Sequence, residues 1–467
     1  MPDQEMGRRR RSWPGWIRRV AVIPGGLPVV AVVAVVVLVS VVWTAGPTTG
    51  GEQEGAGAPA ASSDTVREPG CGAGEPLTET LSSGSAWTMC WRIDPDTGLV
   101  LEDVTFVPAG HEQVRVLASL TIGQLEVPYD SGVRSTEDIT AEGFGGRSML
   151  ALGQESCRGE RLSAPIPTLG DGETGTVGTR EVLCRETVDG GIAYHAKDER
   201  ADAVPLVERR TDLRLSTISK VGWYEYVTQY TFGADGSITP ELGATGDLSP
   251  ADYSDRSHGW AVGEGEHDHA TSHSHNVVWK VHWALGGRGG QVVEQYDAED
   301  TPEMGPRSRV VAGRLLPIPR EDTRDRENRR WWRVVNPALL NDDGHPVSYE
   351  IGLGATSSFT FTHDDDHEHG GYDIAFTEAE GCQEFATANR DAHCGRGVPD
   401  YVEDRERLDD VVSWVAVGFH HVPRDEDQSP MESHWQGFTM VPRDVTATRP
   451  DVPPEREGIN GSPPPAG

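Results

Sequence analysis

Positive charge is scarce in this chain: Lys and Arg together number 41 against 74 Asp and Glu, for a formal net charge of −33. This excludes nucleic acid as a partner, because neutralising phosphates needs a basic face. The acidity leaves the approach of cationic molecules unopposed, but a solvated acidic surface identifies none of them. Long helical periodicity is almost absent, which excludes a helical bundle. Short internal repeats are absent as well. Cysteine is limited to six, an even number that fits pairing in an oxidising compartment.

Uncharged apolar sequence of membrane-spanning length occurs once, from Val20 to Trp43. Arg8, Arg9, Arg10, Arg11, Arg18 and Arg19 precede it. Basic residues stay on the cytoplasmic side, so the remainder of the chain is expected outside the cell membrane. Residues 1–19 then form a cytoplasmic basic segment and 20–43 a transmembrane anchor or a signal segment. If that segment is cleaved, the protein is secreted. Residues 44–70, rich in Gly, Ala, Ser, Thr, Pro and Glu, form a disordered linker. The Pro-rich stretch 447–467 forms a disordered tail.

The remainder, 71–446, is rich in strand signals. "VRVLASLTIGQLEV", "GWYEYVTQYTFGADGSITPEL", "NVVWKVHWAL" and "DVVSWVAVGF" alternate or run apolar between Gly, Asp and Pro punctuation. The expected fold is all-β, a large antiparallel β-sandwich with long loops, following an N-terminal transmembrane helix. His273 and His275 stand at i and i+2, so a strand would point both imidazoles to one face. Neutral imidazole suits Cu, Zn, Fe or Ni. At the pair His420-His421, adjacent strand residues face opposite ways, so one of the two can join such a site. Three imidazoles would leave coordination positions open for water or a ligand. The tract "HDDDHEHGG" at His363 to Gly371 reads as a solvated loop.

From these residues onward the chain resembles the copper-containing amine oxidase family, over roughly Ala86 to Arg443. "HSHNVVWKVHWALGG" resembles the family's H-x-H strand. "HHVPRDEDQSPMESHWQGFTMVP" resembles its "THxPRxEDxPxMPxxWxGFxLxP" segment. The resemblance implies Cu(2+) held by His273, His275 and His421. It also implies a topaquinone cofactor made from Tyr224, which occupies the tyrosine of the family's T-x-x-N-Y-(D/E)-Y motif. Lys220 and Trp223 depart from that motif, standing where the family has Thr and Asn. "VPY" places Tyr129 as the tyrosine that hydrogen-bonds the quinone. "DITAEGFG" places Asp138 as the catalytic base, with Glu137 and Glu142 as alternates. Cys157 and Cys184 match cysteines that flank a family loop and are expected to be bridged, which leaves Cys71–Cys90 and Cys382–Cys394 as the natural remaining pairs. His282 stands where the family's second, calcium-like site needs Asp, with only Asp410 matching, so that site is not assigned.

The implied activity is oxidative deamination of a primary amine by O2 to an aldehyde, with release of H2O2 and ammonia. The implied assembly is a homodimer. The competing reading, favoured by Lys220 and Trp223, is a non-catalytic, membrane-tethered copper-binding or interaction module on the same fold.

Overall fold

The computed structural model describes residues 69–451, except 134, 168–176, 197–205, 265–267, 355, 357–370 and 429. The basic segment, the hydrophobic run, most of the linker, the Pro-rich tail beyond 451 and the His363 tract up to 370 lie outside these residues. Among the described residues no helix is long and apolar enough to cross a membrane.

Alternation dictates the strands. Tyr224–Phe232 buries every second residue, placing Tyr224, Tyr226, Tyr230 and Phe232 on one face. His273–Trp283 turns His273, His275, Val277, Trp279, Val281 and Trp283 to one face, all of them buried. The strands pair antiparallel into two large sheets. The first runs in the order Glu75–Thr80, Ala86–Asp94, Gly98–Val107, Val114–Pro128, His273–Trp283, Val411–His421, Ile374–Glu378 and Asp322–Arg324. Ser135–Glu137 pairs beside Val114–Pro128. The second runs Arg309–Ile318, Val292–Met304, Trp331–Leu340, Pro346–Leu353, Met431–Arg443, Ile238–Gly246, Tyr224–Phe232, Leu206–Val221, Val177–Ala196 and Glu160–Pro167. Helix is confined, among the described residues, to single turns such as Asp138–Ala141 and Val398–Tyr401.

The sheets pack face to face through aromatic side chains. Trp87 lies 5.1 Å from Phe232, Tyr230 5.4 Å from Trp279, and Trp279 6.4 Å from Phe438, between ring centroids. Each pair takes one ring from each sheet, so one continuous core fills the interlayer space. Truncating such a residue typically costs about 3–5 kcal/mol. The indole Nε1 of Trp87 donates to the Gly233 carbonyl across the layers at 2.9 Å, satisfying the only polar atom of that side chain. The first sheet is covered on its other face by a second cluster around Trp414, Tyr372 and Tyr401. Its central strands are therefore buried on both sides, which explains their near-continuous apolar runs.

All six cysteines are bridged, as Cys71–Cys90, Cys157–Cys184 and Cys382–Cys394. Cys157 and Cys184 are 5.5 Å apart at Cα and 27 residues apart in sequence. Closing a loop of that size removes roughly 3–4 kcal/mol of unfolded-chain entropy.

Candidate metal centre and adjoining cavity

Strand register brings the three histidines together. His273–Trp283 pairs antiparallel with Val411–His421 so that His421 stands directly opposite His273, and His420 opposite Ser274. Residues directly opposite share a face. His421 therefore turns inward, while His420 turns out and pairs with Asp130 at 3.0 Å. The ring centroids of His273 and His275 are 5.0 Å apart, as are those of His273 and His421. One nitrogen from each of the three rings lies within 4.8 Å of the others, and all three residues are buried.

Hydrogen bonds on the outer nitrogens orient these rings. Nδ1 of His273 donates to the Thr271 carbonyl at 3.1 Å, leaving Nε2 bare. Nε2 of His421 donates to Oδ2 of buried Asp427 at 3.1 Å, leaving Nδ1 bare. Nε2 of His275 is buried and has no hydrogen-bond partner among the described residues. A buried polar atom left unpaired is costly, and a cation between these nitrogens would satisfy it. Burial, reinforced by His273, His421 and His434, holds the pKa of His275 well below the usual imidazole value. Burial also lowers that of His421, against the opposing pull of Asp427. Both imidazoles are therefore neutral, as metal ligation demands. A buried cluster of three imidazoles fits a copper ion.

Tyr224 meets these histidines from the opposite sheet. Its hydroxyl lies 2.7 Å from His273 Nε2, 3.3 Å from His421 Nδ1 and 3.8 Å from Met431 Sδ. The first two are the bare nitrogens, so the phenol oxygen sits where an ion bound by them would touch it. Burial, together with Tyr129, Asp427 and Asp252, raises the phenol pKa far above its ordinary value. The ring is thus a protonated phenol until a cation arrives to oppose that shift. The site fits a tyrosine-derived quinone as well as its metal.

A cavity of about 130 Å³ opens beside Tyr224 and is lined by Tyr129, Asp138, Glu142, Trp223, Tyr224 and Tyr226. Tyr129 stacks on His273 at 4.7 Å and 23°. Asp138, only 4% exposed, begins the helical turn Asp138–Ala141, and its Oδ2 accepts the Tyr226 hydroxyl at 3.2 Å. Glu142 is exposed and contacts Arg147 at 3.4 Å. Glu137 contributes its backbone to Ser135–Glu137, and its side chain lies outside the described part.

Lys220 and Trp223 take positions that motif reading alone could not supply. Val221 pairs with Tyr224, so Gly222 and Trp223 form a two-residue hairpin turn. Gly222 adopts φ +58°, as the first central position of a primed turn requires. Trp223 is 50% exposed at the cavity mouth. Lys220 forms a surface ion pair with Glu225 across the same hairpin. Neither side chain enters the cluster of histidines. His282 pairs with Asp410 at 2.8 Å.

Two members of the constellation escaped the sequence reading. Asp427 lies inside "PRDEDQSP", and only the need of a ligating histidine for an outer partner would have singled it out. Tyr226 shares the inward face of Tyr224 by strand alternation, a signal present but unused.

The family model described as copper amine oxidase, enzyme domain, matches residues 81–457. Histamine oxidase of Arthrobacter globiformis is 26% identical over 404 residues, covering 81% of this chain and 58% of that protein. The peroxisomal N-methylputrescine oxidase 1 of Nicotiana tabacum is 24% identical over 401 residues, covering 79% and 50%. The crystal structure of a copper-containing benzylamine oxidase from Hansenula polymorpha superposes with a TM-score of 0.67 at 21% identity, covering 80% of this chain and 62% of that one. That of Aspergillus nidulans amine oxidase gives 0.66 at 19%, covering 85% and 57%. The chain thus spans about half the length of the curated relatives it matches.

Proposed function

Because this chain belongs to the copper amine oxidase family, we propose that it deaminates a primary amine oxidatively, with Cu(2+) on His273, His275 and His421 and topaquinone formed from Tyr224. The overall reaction converts amine, O2 and water into aldehyde, ammonia and H2O2. The observation that carries this reading is the Tyr224 hydroxyl placed between His273 Nε2 and His421 Nδ1. When bound, the copper and the quinone supply redox chemistry and an electron-pair sink. The protein's own residues do the rest. Asp138 accepts the proton from the substrate's α-carbon, as a buried carboxylate facing the cavity can. Tyr129 fixes the cavity wall against His273 through its stacked ring. Trp223, at the mouth, limits the width of an entering amine. The direct test is release of aldehyde and H2O2 in equal amounts from copper-loaded protein given a panel of primary amines; no turnover of any amine would refute it.

The segment 20–43 is proposed as a membrane anchor that holds the domain outside the cell. Three disulfides support an oxidising location. Protease added to intact cells is expected to digest residues 71–446; full protection would overturn the topology.

A homodimer is also proposed. The hairpin of Val292–Met304 and Arg309–Ile318 exposes Met304, Val310, Val311, Leu315 and Leu316. An apolar edge of this kind calls for a cover. Light scattering at micromolar concentration is expected to report twice the chain mass, and a purely monomeric solution would contradict it.

A further inference from the structure

Each ligating histidine needs its outer nitrogen held by an acceptor if its inner nitrogen is to stay bare. His273 has a carbonyl and His421 a carboxylate. The outer nitrogen of His275 meets neither. Its Nδ1 lies 3.2 Å from the hydroxyl of Tyr226, and that hydroxyl lies 3.2 Å from Asp138 Oδ2. We propose that Tyr226 is a positioning residue that lets Asp138 fix the tautomer of His275, so that the general base and the metal ligand are one hydrogen-bonded unit. This rests on the copper and base assignments made above.

The donor count decides the direction. A carboxylate that is to act as a base carries no proton and can only accept. The single hydroxyl proton of Tyr226 therefore goes to Asp138. Its oxygen then has only lone pairs to offer His275, so Nδ1 must carry the imidazole proton. Nε2 is left bare, and it is the atom with no partner among the described residues. The geometry leaves little freedom to escape this arrangement. Tyr226 is 1% exposed, and its ring is stacked on Phe144 at 5.4 Å and on Tyr224 at 6.0 Å. The partners come from three separate segments: the strand Tyr224–Phe232, the strand His273–Trp283 and the turn Asp138–Ala141. The same arrangement separates the roles of the two tyrosines. Tyr224 touches inner nitrogens, whereas Tyr226 touches the far side of a ligand ring, out of reach of the metal.

The experiment combines two readouts. In metal-free protein with ¹⁵N-labelled histidine, His275 is expected to show a protonated Nδ1 and a bare Nε2, and Tyr226→Phe is expected to lose that preference. Competition against a chelator is expected to show Cu(II) held about 10–100-fold more weakly by Tyr226→Phe. Asp138→Asn is expected to weaken it in the same sense, because its amide can donate to the Tyr226 oxygen and turn the hydroxyl proton onto Nδ1. The double variant is expected to be no worse than Tyr226→Phe alone, the non-additivity of residues acting in series. A proton on Nε2 of His275 in the wild type would overturn the proposal. So would Cu(II) affinity within twofold of wild type in both single variants, since a merely packing tyrosine would lower the melting temperature alone. If Tyr226→Phe does not fold, Asp138→Asn carries the test. Should wild-type protein bind no copper at all, the proposed function fails, and the tautomer of the metal-free protein still decides this inference.

Discussion

Phenylhydrazine added to aerobically copper-loaded protein is expected to give a coloured adduct at one per chain, and Tyr224→Phe to give none. The expectation follows from where the Tyr224 oxygen sits. It touches two of the three inner imidazole nitrogens, so an ion held there would meet the phenol directly. The substitution removes one oxygen and keeps the ring, so the packing against His275 at 4.7 Å persists. Its cost to folding is that of the lost hydrogen bonds, about 1 kcal/mol. Copper should still bind the three histidines stoichiometrically while adduct and amine turnover disappear completely. The opposite result is equally informative. Wild-type protein that binds one copper and forms no adduct would refute the oxidase and leave the non-catalytic copper-binding module. The features that favoured that module no longer do so. Lys220 is spent on a surface pair with Glu225, and Trp223 occupies a hairpin turn at the cavity mouth.

Much of this was legible in the residues because the fold is built on period-two patterns. The H-x-H spacing and the alternation of "YEYVTQYTF" assign faces without any knowledge of partners. Register is another matter. That His421 rather than His420 faces inward is fixed by its pairing opposite His273, a contact between residues 148 positions apart. The sequence allowed either one, and only the resemblance chose. The anchoring of each imidazole was illegible for other reasons. Thr271 acts through a backbone carbonyl, which no side-chain pattern reveals. Asp427 follows His421 by six residues in the turn Asp425–Gln428, among acidic neighbours that no motif separates, and Tyr226 reaches His275 from a strand of the other sheet. Motif reading set Trp223 only against the family's Asn. The backbone instead places it at a turn, where Gly222 supplies the positive φ and the indole can lean toward solvent.

Asp138→Asn is expected to lower kcat/KM by about 10²–10⁴-fold at saturating copper, once rates are normalised to phenylhydrazine-titrated sites. At about 1.36 kcal/mol per decade this is roughly 3–5 kcal/mol of transition-state stabilisation. The normalisation matters, because the same substitution is expected to weaken copper through Tyr226 and His275. Active-site titration separates sites that never mature from sites that mature and turn over slowly. Three carboxylates competed for the role in the sequence, and burial now ranks two of them. Asp138 is nearly inaccessible, lines the cavity and is oriented by Tyr226. Glu142 lines the same cavity but is exposed and contacts Arg147. An exposed carboxylate keeps its water and is free to rotate, so it is poorly held for proton abstraction. Glu142→Gln is accordingly expected to change kcat/KM by only about threefold at most, a surface-charge effect of less than about 1 kcal/mol. A large loss in Glu142→Gln with Asp138→Asn near wild type would move the base one helical turn along the chain and remove the carboxylate end of the Tyr226 relay with it.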